Sequence, residues 1–490
     1  WFNSSLKDDQ IITEYFQELL ENDFNILTNN CHESIDKVIF CDQIVRHIRR
    51  NQLHLYETTN IDTDAYLRLA IKEVENGLKN KFDLELSPIE RCFYLLPLRH
   101  TFKPEKILFC INKIEEYNSQ EPHKIYNRFL KAGLKSYRKN FKGYLEIKDL
   151  DIDLKNISPI LENNYVEVDF NINDPFVNKF KNTIEQFNLS SKKVISVSGG
   201  VDSMVLLYLM SKLNHKKLVV ANIDYSNRKS SILESSLVAF WCNKLKVPFY
   251  CRQISEIKRS RDGLRNFYEE YTKNIRFDLY KDLIKDSNGS VFLGHNYDDA
   301  IENVIRNISQ KKNYTNLFGM DFESNDLDVK LVRPFLYFSK KEILDYARKQ
   351  GIPFTKDSTP KWSQRGKIRD QVKPFLDSFD PNFINGLMKL SEHVKNLTKI
   401  SKESYYQPMF EKIEFGETIK GPIPIDNSFT SWRIMLNLIC KKRKIPLFSV
   451  KSIHNLISRI SSNNVKNNKV ILSKEKYLLF YDEYFEIIDN

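Results

Sequence analysis

The sequence predicts an α/β fold in the middle of the chain, with mainly helical regions on both sides. Three observations lead to this prediction. Between residues 175 and 372, short apolar runs alternate with helical stretches, which indicates a doubly wound parallel sheet. Residues 1–144 show apolar side chains at three- and four-residue intervals, which is typical of an all-helical domain. The same helical spacing returns in residues 373–490 and predicts a mainly helical C-terminal domain.

Five apolar runs in the middle region are too short for helices and predict strands. They are Val194–Val197, Leu218–Ile223, Phe249–Ile254, Val291–His295 and Val329–Pro334. An amphipathic helix with Pro175 at its start precedes the first of them. Residues 145–174 are acidic and rich in Asn, and we interpret them as a linker. Near the C-terminus, the alternating pattern of residues 469–488 predicts two or three short strands.

The composition excludes several classes of protein. A chain of 490 residues is too long for a single core and predicts about three domains. No apolar run reaches the ~18 residues that span a bilayer, so we expect no membrane segment. The formal net charge of +11 favours a polyanionic partner such as nucleic acid. The seven cysteines contain no CxxC pair, which predicts a reducing, cytoplasmic location without disulfides or a cysteine zinc site.

The sequence SGGVDS follows the first predicted strand and opens the next helix. Two adjacent glycines allow a sharp turn and expose backbone N–H groups, which together with the positive end of a helix can bind phosphate oxygens. The residues of this predicted anion site are Ser198, Gly199, Gly200, Val201, Asp202 and Ser203. The carboxylate of Asp202 would repel an anion, so its presence predicts a bridging magnesium ion. The alternative is a tight turn in which Asp202 only stabilises the helix start.

The loop resembles the pyrophosphate loop of the N-type ATP pyrophosphatases, the PP-loop superfamily, which has a Rossmann-like fold. Three later segments resemble motifs of its tRNA(Ile)-lysidine synthetase family: Glu269–Tyr280, Leu293–Asn307 and Leu331–Leu376. The resemblance implies ATP and Mg²⁺ as cofactors, and tRNA and free lysine as substrates. It implies a ligase that joins lysine to carbon 2 of the wobble cytidine of an isoleucine tRNA, after ATP adenylates the base oxygen. It also implies that residues 373–490 recognise tRNA. It does not decide whether the protein forms a homodimer.

The resemblance also suggests roles for individual side chains. Asp299 and Glu302 lie three residues apart on one predicted helix and would hold the ammonium group of lysine. Arg276 is a further catalytic candidate. The candidates for contacts with substrate or tRNA are Lys273, Arg365, Lys367 and Arg369. The alternatives are that Asp298 and Asp299 stabilise a helix N-terminus while Glu302 pairs with Arg306, and that the basic residues form a solvated surface.

Four positions depart from the motifs of the family. They are Lys273 for Arg, Asn296 for the second His, and Pro360 and Gly366 for Asn. They keep two rival hypotheses open, another PP-loop modification such as tRNA thiolation and an RNA-binding protein without catalysis. Thiolases often carry CxxC pairs, and the absence of such a pair in this sequence argues against thiolation.

The N-terminal region has a separate resemblance, to an all-helical bacterial family of unknown function. It is based on the segments DKVIFCDQIVRHIRR and RCFYLLPLRHTF. Asp42, Arg46 and Arg50 follow one another at four-residue steps, so they share one face of a helix. We interpret them as a buried charge network and assign this domain no chemistry.

Overall fold

The structure is a computed structural model of the chain. The residues that it describes are 6–21, 29–54, 61–185, 191–213, 217–228, 230–259, 264–285, 288–310, 319–357, 361–462, 468–473, 475–481 and 483–489. Pro360, one of the four departures, lies outside these ranges. The chain forms two compact units, the first comprising Trp1–Asn296 with Phe322–Asp357 and the second comprising Tyr297–Asp321 with Ser358–Asn490. In the described ranges, no helix has the length and apolar character to cross a membrane.

The N-terminal part of the first unit is helical, as predicted. Its helices are α1 (Leu6–Glu21), α2 (Cys31–Ile39), α3 (Val45–His54), α4 (Thr63–Lys79), α5 (Pro88–Tyr94), α6 (Leu96–His100), α7 (Pro104–Gln120) and α8 (Lys124–Asn140). A π-helical turn, Phe40–Ile44, joins α2 to α3. Proline occupies a first-turn position of α5, α6 and α7, where its missing N–H group costs no hydrogen bond.

The predicted linker belongs to the first unit, where backbone hydrogen bonds join it to later segments of the chain. Leu145 exchanges hydrogen bonds of 2.7 and 2.9 Å with Cys251. The short helix α9 (Leu154–Ile157) follows, and strand β1 (Leu161–Asn163) pairs antiparallel with a later two-residue strand, Phe354–Thr355.

The middle of the chain builds a six-stranded sheet. Its strands are β2 (Lys193–Ser196), β3 (Leu218–Asp224), β4 (Phe249–Gln253), β5 (Ser290–Leu293), β6 (Glu323–Asp326) and β7 (Val329–Val332), and Phe354–Thr355 is β8. The order across the sheet is β4-β3-β2-β5-β7-β6. All neighbours pair in parallel except β6, which runs antiparallel to β7 at the edge. The five predicted strands and their parallel arrangement are therefore confirmed.

Helices connect these strands. They are α10 (Pro175–Ile184), α11 (Val201–Lys212), α12 (Ser231–Leu245), α13 (Arg265–Ile284), α14 (Tyr297–Ser309) and α15 (Lys340–Lys349), of which α14 belongs to the second unit. From β2 the chain builds outward through β3 and β4, and then returns to place β5 on the other side of β2. In open parallel sheets, such a reversal creates a ligand-binding crevice at the carboxyl ends of the two central strands.

Two of the hydrophobic cores of the first unit show how its helices pack. In one of them α11 is apolar on all sides, and its residues from Val201 to Met210, except Asp202, are buried. The other core joins the N-terminal helices to the sheet region, because Ile254, Tyr271 and Ile275 pack with residues of α7 and α8. The N-terminal helical region thus shares a core with α13.

The second unit combines helices with a small sheet. After α14 its helices are α16 (Gln364–Lys367), α17 (Lys373–Phe379), α18 (Phe383–Ser401), α19 (Gln407–Glu411), α20 (Phe429–Arg443) and α21 (Val450–Ser461). Its strands are β9 (Glu414–Phe415), β10 (Ile419–Pro422), β11 (Lys469–Ile471), β12 (Lys476–Phe480) and β13 (Tyr484–Asp489). They form an antiparallel sheet in the order β11-β12-β13-β10-β9, which packs around the fully buried Trp432. The sequence predicted two or three strands over residues 469–488, where β11, β12 and β13 lie, but it did not predict β9 and β10.

Candidate functional site

The glycine pair occupies the turn between β2 and α11, at the crevice. Gly199 has φ of +88°, a left-handed conformation that a residue with a side chain rarely adopts. Gly200 is the N-cap of α11, so the first N–H groups of that helix point toward the loop without intrahelical partners. A Cβ atom at Gly200 would meet only Ser198 Oγ, at 3.6 Å, among the described atoms within 4 Å. The space above Gly200 is therefore open to a ligand.

Hydrogen bonds hold this loop in shape. Ser203 Oγ donates to the carbonyl oxygen of Gly200 at 2.9 Å and accepts from the N–H group of Ser198 at 3.1 Å. The N–H group of Thr355, in β8, donates to the carbonyl oxygen of Gly199 at 3.0 Å. These bonds fix the backbone of the loop before any ligand binds, which is the condition for strong electrostatic stabilisation of an anion.

Gly294 is a residue of this site that the sequence reasoning missed. It directly follows β5, and a Cβ atom there would lie 3.0 Å from the backbone nitrogen of Ser203 and 3.2 Å from Asp202 Cβ. Any side chain at this position would push the end of β5 away from the start of α11. Only the tertiary structure shows this contact, because the residues are about ninety positions apart in the chain.

Both carboxylate oxygens of Asp202 accept hydrogen bonds. Asn296 Nδ2 donates to Oδ1 at 2.9 Å, and Lys340 Nζ lies 2.6 Å from Oδ2. Asn296 is 2% exposed, so this departure from the family motif has a defined structural partner. Lys340 is the first residue of α15, after the N-cap Ser339, and sequence reasoning did not single it out.

The loop Ser198–Ser203 offers a metal ion one carboxylate, that of Asp202. In the described part of the chain, no group of three or more His, Cys, Asp or Glu side chains is arranged to hold a metal. Magnesium commonly takes only one or two protein carboxylates and completes its shell with water and substrate phosphates. Asp202 fits such an ion, provided that the phosphates supply most of the remaining ligands.

His295, two residues after β5, is oriented by a buried arginine. Arg333 Nε donates to His295 Nδ1 at 3.3 Å, and its Nη1 donates to Ser324 Oγ at 2.9 Å. Because a guanidinium can only donate, Nδ1 accepts, and the neutral ring carries its proton on Nε2. Arg333 is 8% exposed, and the sequence reasoning did not identify it.

The two basic candidates on α13 have different surroundings. Lys273 Nζ forms an ion pair with Asp326 at 2.8 Å, and both side chains are about two-fifths exposed. Arg276 donates to Tyr225 Oη at 3.5 Å, and its guanidinium lies 5.9 Å from the ring centroid of Phe277. Arg276 is thus the more enclosed of the two, whereas Lys273 lies at the surface.

In the second unit, Asp299 and Glu302 share one face of α14, as their spacing predicted. They are 7% and 5% exposed. Arg365, in α16, binds both, with its Nε 2.5 Å from Glu302 Oε2 and its Nη2 donating to Asp299 Oδ1. The side chain of Arg365 is 51% exposed. The two buried acids therefore share a cation that is itself accessible to solvent.

Neighbouring residues extend this cluster. Arg369 Nε donates to Glu302 Oε1 at 2.8 Å, and Lys373 Nζ lies 3.1 Å from Asp298 Oδ1. Lys367 is exposed, whereas Gly366 is buried at the start of α16 and donates to Ser363 Oγ at 3.0 Å. Arg365 and Arg369 thus lie together with the predicted acids, and Lys367 does not contact them.

The predicted charge network of the N-terminal region is present for Asp42 and Arg46 but does not include Arg50, whose side chain is exposed. Asp42 is 1% exposed and accepts from Arg46 Nε at 3.0 Å, with His100 Nδ1 at 2.8 Å. Burial alone would raise the pKa of Asp42, but His100 and Arg46 outweigh it and hold that pKa below its usual value. Arg50 pairs instead with Asp9, at 3.0 Å.

Residues 172–376 match the sequence profile of the PP-loop domain. This segment is a PP-loop domain. Its match covers the sheet, the glycine loop and the acidic helix α14. Residues 1–146 match a bacterial protein family of unknown function, DUF924.

Curated relatives match part of the chain. The tRNA(Ile)-lysidine synthase of Enterococcus faecalis is 25% identical over 255 residues, 51% of this chain and 52% of that protein. The tRNA(Ile)-lysidine synthase of Mesoplasma florum is 32% identical over 193 residues, 38% of this chain and 47% of that protein. The chain thus spans about half the length of these relatives. Among solved structures, the U34-tRNA thiolase NcsA of Methanococcus maripaludis is 16% identical, with a TM-score of 0.36, over 45% of this chain and 78% of that one.

Proposed function

We propose that this protein is an ATP-dependent tRNA-modifying ligase that attaches free lysine to carbon 2 of the wobble cytidine of an isoleucine tRNA. The fixed, open glycine loop of the PP-loop domain is the observation that supports ATP cleavage. The tRNA(Ile)-lysidine synthases among the relatives support this particular modification.

In the first step, the O2 atom of the cytosine attacks the α-phosphorus of ATP. The bond from that phosphorus to the β-phosphate oxygen breaks, and pyrophosphate leaves with the electron pair. The N–H groups at the start of α11 and the hydroxyl of Ser198 would bind its oxygens, and the ammonium of Lys340 adds a positive charge at Asp202. Asp202 would hold the magnesium ion, whose charge offsets that of the phosphates.

In the second step, an amine of lysine attacks carbon 2 of the adenylated base. The bond between that carbon and the oxygen breaks, and AMP leaves. The amine must first lose the proton of its ammonium form, and a carboxylate of Asp299 or Glu302 is suited to accept it. In the structure, the guanidinium of Arg365 occupies the position between these carboxylates that we assign to the ammonium.

Thiolation, the main rival hypothesis, is disfavoured by the state of the cysteines. All seven are buried and unbridged. Burial raises the pKa of every one of these thiols, to about 11 for Cys41 and about 12 for Cys251. A cysteine that transfers sulfur as a nucleophile acts as an accessible thiolate, and a thiol with such a pKa stays protonated at neutral pH.

The test of the proposal is incubation of the protein with ATP, magnesium, radiolabelled lysine and total tRNA from cells that lack the modification. We expect equal amounts of pyrophosphate, AMP and labelled tRNA, with the label on an anticodon cytidine after nuclease digestion. Pyrophosphate release without lysine label would exclude lysine ligation and retain ATP cleavage. If no pyrophosphate is released with any tRNA, the RNA-binding hypothesis without catalysis becomes the better one.

A further inference from the structure

Helix α8, in the N-terminal region, carries an unusual charge pattern. Its 17 residues contain six basic side chains and no acidic one. The basic residues are Lys124, Arg128, Lys131, Lys135, Arg138 and Lys139. Five of the six follow one another at steps of three or four residues, so they form a single stripe about 21 Å long.

Such a stripe destabilises an isolated helix, because like charges at these spacings repel. The favourable interaction of cations with the end of a helix accounts only for Arg138 and Lys139, in the last turn. The opposite face of α8, which includes Tyr126, Leu130 and Leu134, is buried in the shared core. Packing therefore fixes the helix so that the stripe faces outward.

A groove of about 600 Å³ lies between the end of α8, the segment Phe141–Tyr144 and α13. Its charged lining residues are Lys135, Arg138, Lys139, Lys142, Arg252 and Lys281, together with the acids Glu270, Asp278 and Asp282. Basic side chains thus outnumber acidic ones two to one within a concave surface.

Most of the acids in this groove are already engaged. Arg138 Nε lies 2.9 Å from Asp278 Oδ2, and Tyr144 donates its hydroxyl to Asp282. In contrast, Lys135, Lys139 and Lys142 are exposed, and in the described part of the chain no carboxylate lies within 4 Å of their ammonium groups. Among the other basic residues of the groove, Arg252 pairs with Glu256 and Lys281 with Asp328, so the positive charge without a carboxylate partner in the described part of the chain is that of these three lysines.

The walls of the groove are fixed. The ring of Phe141 stacks on Tyr137, with centroids 5.1 Å apart, and the guanidinium of Arg252 lies 4.4 Å from the Phe141 centroid. Arg252 is held in turn by the buried Glu256, at 2.6 Å. Because α8 and α13 also share a hydrophobic core, the positive charges are held in place before a ligand binds.

We infer that this groove is a second nucleic-acid contact, in which the N-terminal region binds the phosphate backbone of the tRNA. The inference rests on the proposed function for the identity of the polyanion. An anionic membrane is the less suitable partner, because membrane-binding basic helices also expose large apolar side chains. None of the residues that line this groove is an exposed large hydrophobic one.

The test replaces Lys135, Lys139 and Lys142 together with Ala and measures tRNA affinity at several salt concentrations. Affinity falls as salt rises, and each lost phosphate contact reduces the steepness of log affinity against log salt by about 0.7 to 0.9. We expect the slope of the triple variant to fall by roughly two to three and its affinity at low salt to fall about tenfold or more. The three residues are exposed, so the melting temperature should stay within a few degrees of that of the wild type.

Two control variants test whether the position of the positive charge matters, and not only its amount. Replacement of the exposed Lys72, Lys79 and Lys155 with Ala removes the same charge elsewhere in the first unit and should leave the slope unchanged. Replacement of the three groove lysines with Arg keeps the charge and should keep the affinity. Equal losses in the two Ala triples would mean that net charge alone matters, and would overturn the inference.

The remaining outcomes separate this inference from the proposed function. If the groove Ala triple keeps the wild-type salt slope while lysine incorporation is intact, the groove inference fails and the ligase proposal stands. If the wild type binds no tRNA, both fail. Binding of the wild type to vesicles of phosphatidylglycerol, lost in the groove triple while tRNA binding persists, would assign the groove to a membrane instead.

Discussion

The Ser198–Ser203 loop of the first unit and the acidic pair of the second unit both have chemistry that suits a charged ligand. They differ in whether their binding groups already have a partner in the structure. The loop uses backbone N–H groups and hydroxyls, and the space above Gly200 is open. Asp299 and Glu302 are buried carboxylates that the guanidinium of Arg365 already bridges.

The difference follows from the cost of burying charge. A backbone anion site carries no net charge, so it is stable when it is empty. Two buried carboxylates without a cation would lose several kcal/mol of solvation, so the fold supplies one of its own. The loop can therefore bind phosphate with little rearrangement, whereas binding of an ammonium at the acids requires Arg365 to move. Its half-exposed side chain is able to do so.

The largest expected effect comes from filling the space above Gly200 with a side chain. Gly200→Val places a branched side chain where the phosphate oxygens would lie, and we expect pyrophosphate release to fall about 100- to 1,000-fold. The backbone at Gly200 has φ of −74° and ψ of 154°, which valine adopts readily, so the protein should fold.

The matched control for the loop is Gly386→Val. In α18 a Cβ atom at Gly386 would meet no atom within 4 Å among the described residues. Pyrophosphate release, measured with a coupled colorimetric assay, should be unchanged in this variant. Wild-type release in Gly200→Val would show that the loop does not bind the pyrophosphate.

A smaller and more selective effect is expected at the acidic pair. Asp299→Asn and Glu302→Gln keep the size of each side chain but remove its charge and its ability to accept a proton. We expect lysine incorporation to fall about 100-fold and pyrophosphate release to change less than about threefold. Both products should be followed in the same reaction, with labelled lysine and labelled ATP.

Asp370→Asn is the control for this pair. Asp370 is exposed and adjacent in sequence to Arg369. Its replacement therefore changes the local charge by the same amount as Asp299→Asn or Glu302→Gln. Lysine incorporation should stay at the wild-type level. If the variants at Asp299 and Glu302 also incorporate lysine normally, the acids serve only to anchor Arg365 and Arg369.

The smallest effect is expected from loss of the hydrogen bond that Asn296 donates to Asp202. Asn296→Ala removes the donor to Asp202 Oδ1 and leaves Lys340 as the partner of the other oxygen. One such hydrogen bond contributes about 1 kcal/mol, so pyrophosphate release should fall roughly five- to tenfold. Asn296→His restores a ring N–H donor and should recover activity to within about threefold. An unaffected Asn296→Ala variant would indicate that Lys340 alone positions this carboxylate.

Residues near one another in sequence were the easiest to predict. The pairing of Asp299 with Glu302, and of Asp42 with Arg46, follows from helical spacing of three or four residues. Gly294, Arg333 and Lys340 were missed as site residues because each reaches its partner across the sheet or between distant loops. No local pattern marks such contacts.

The sequence by itself determined the five parallel strands, the helical regions around them and the sharp turn at Gly199, because periodicity and side-chain size act locally. Only the tertiary structure decided which cation neutralises which acid. Burial makes an unpaired carboxylate costly, and the cation that avoids this cost is the one that the fold brings close: Arg365 rather than Arg306 for Glu302, and Arg50 for Asp9. The same long-range packing placed the basic stripe of α8 beside α13 and formed the groove.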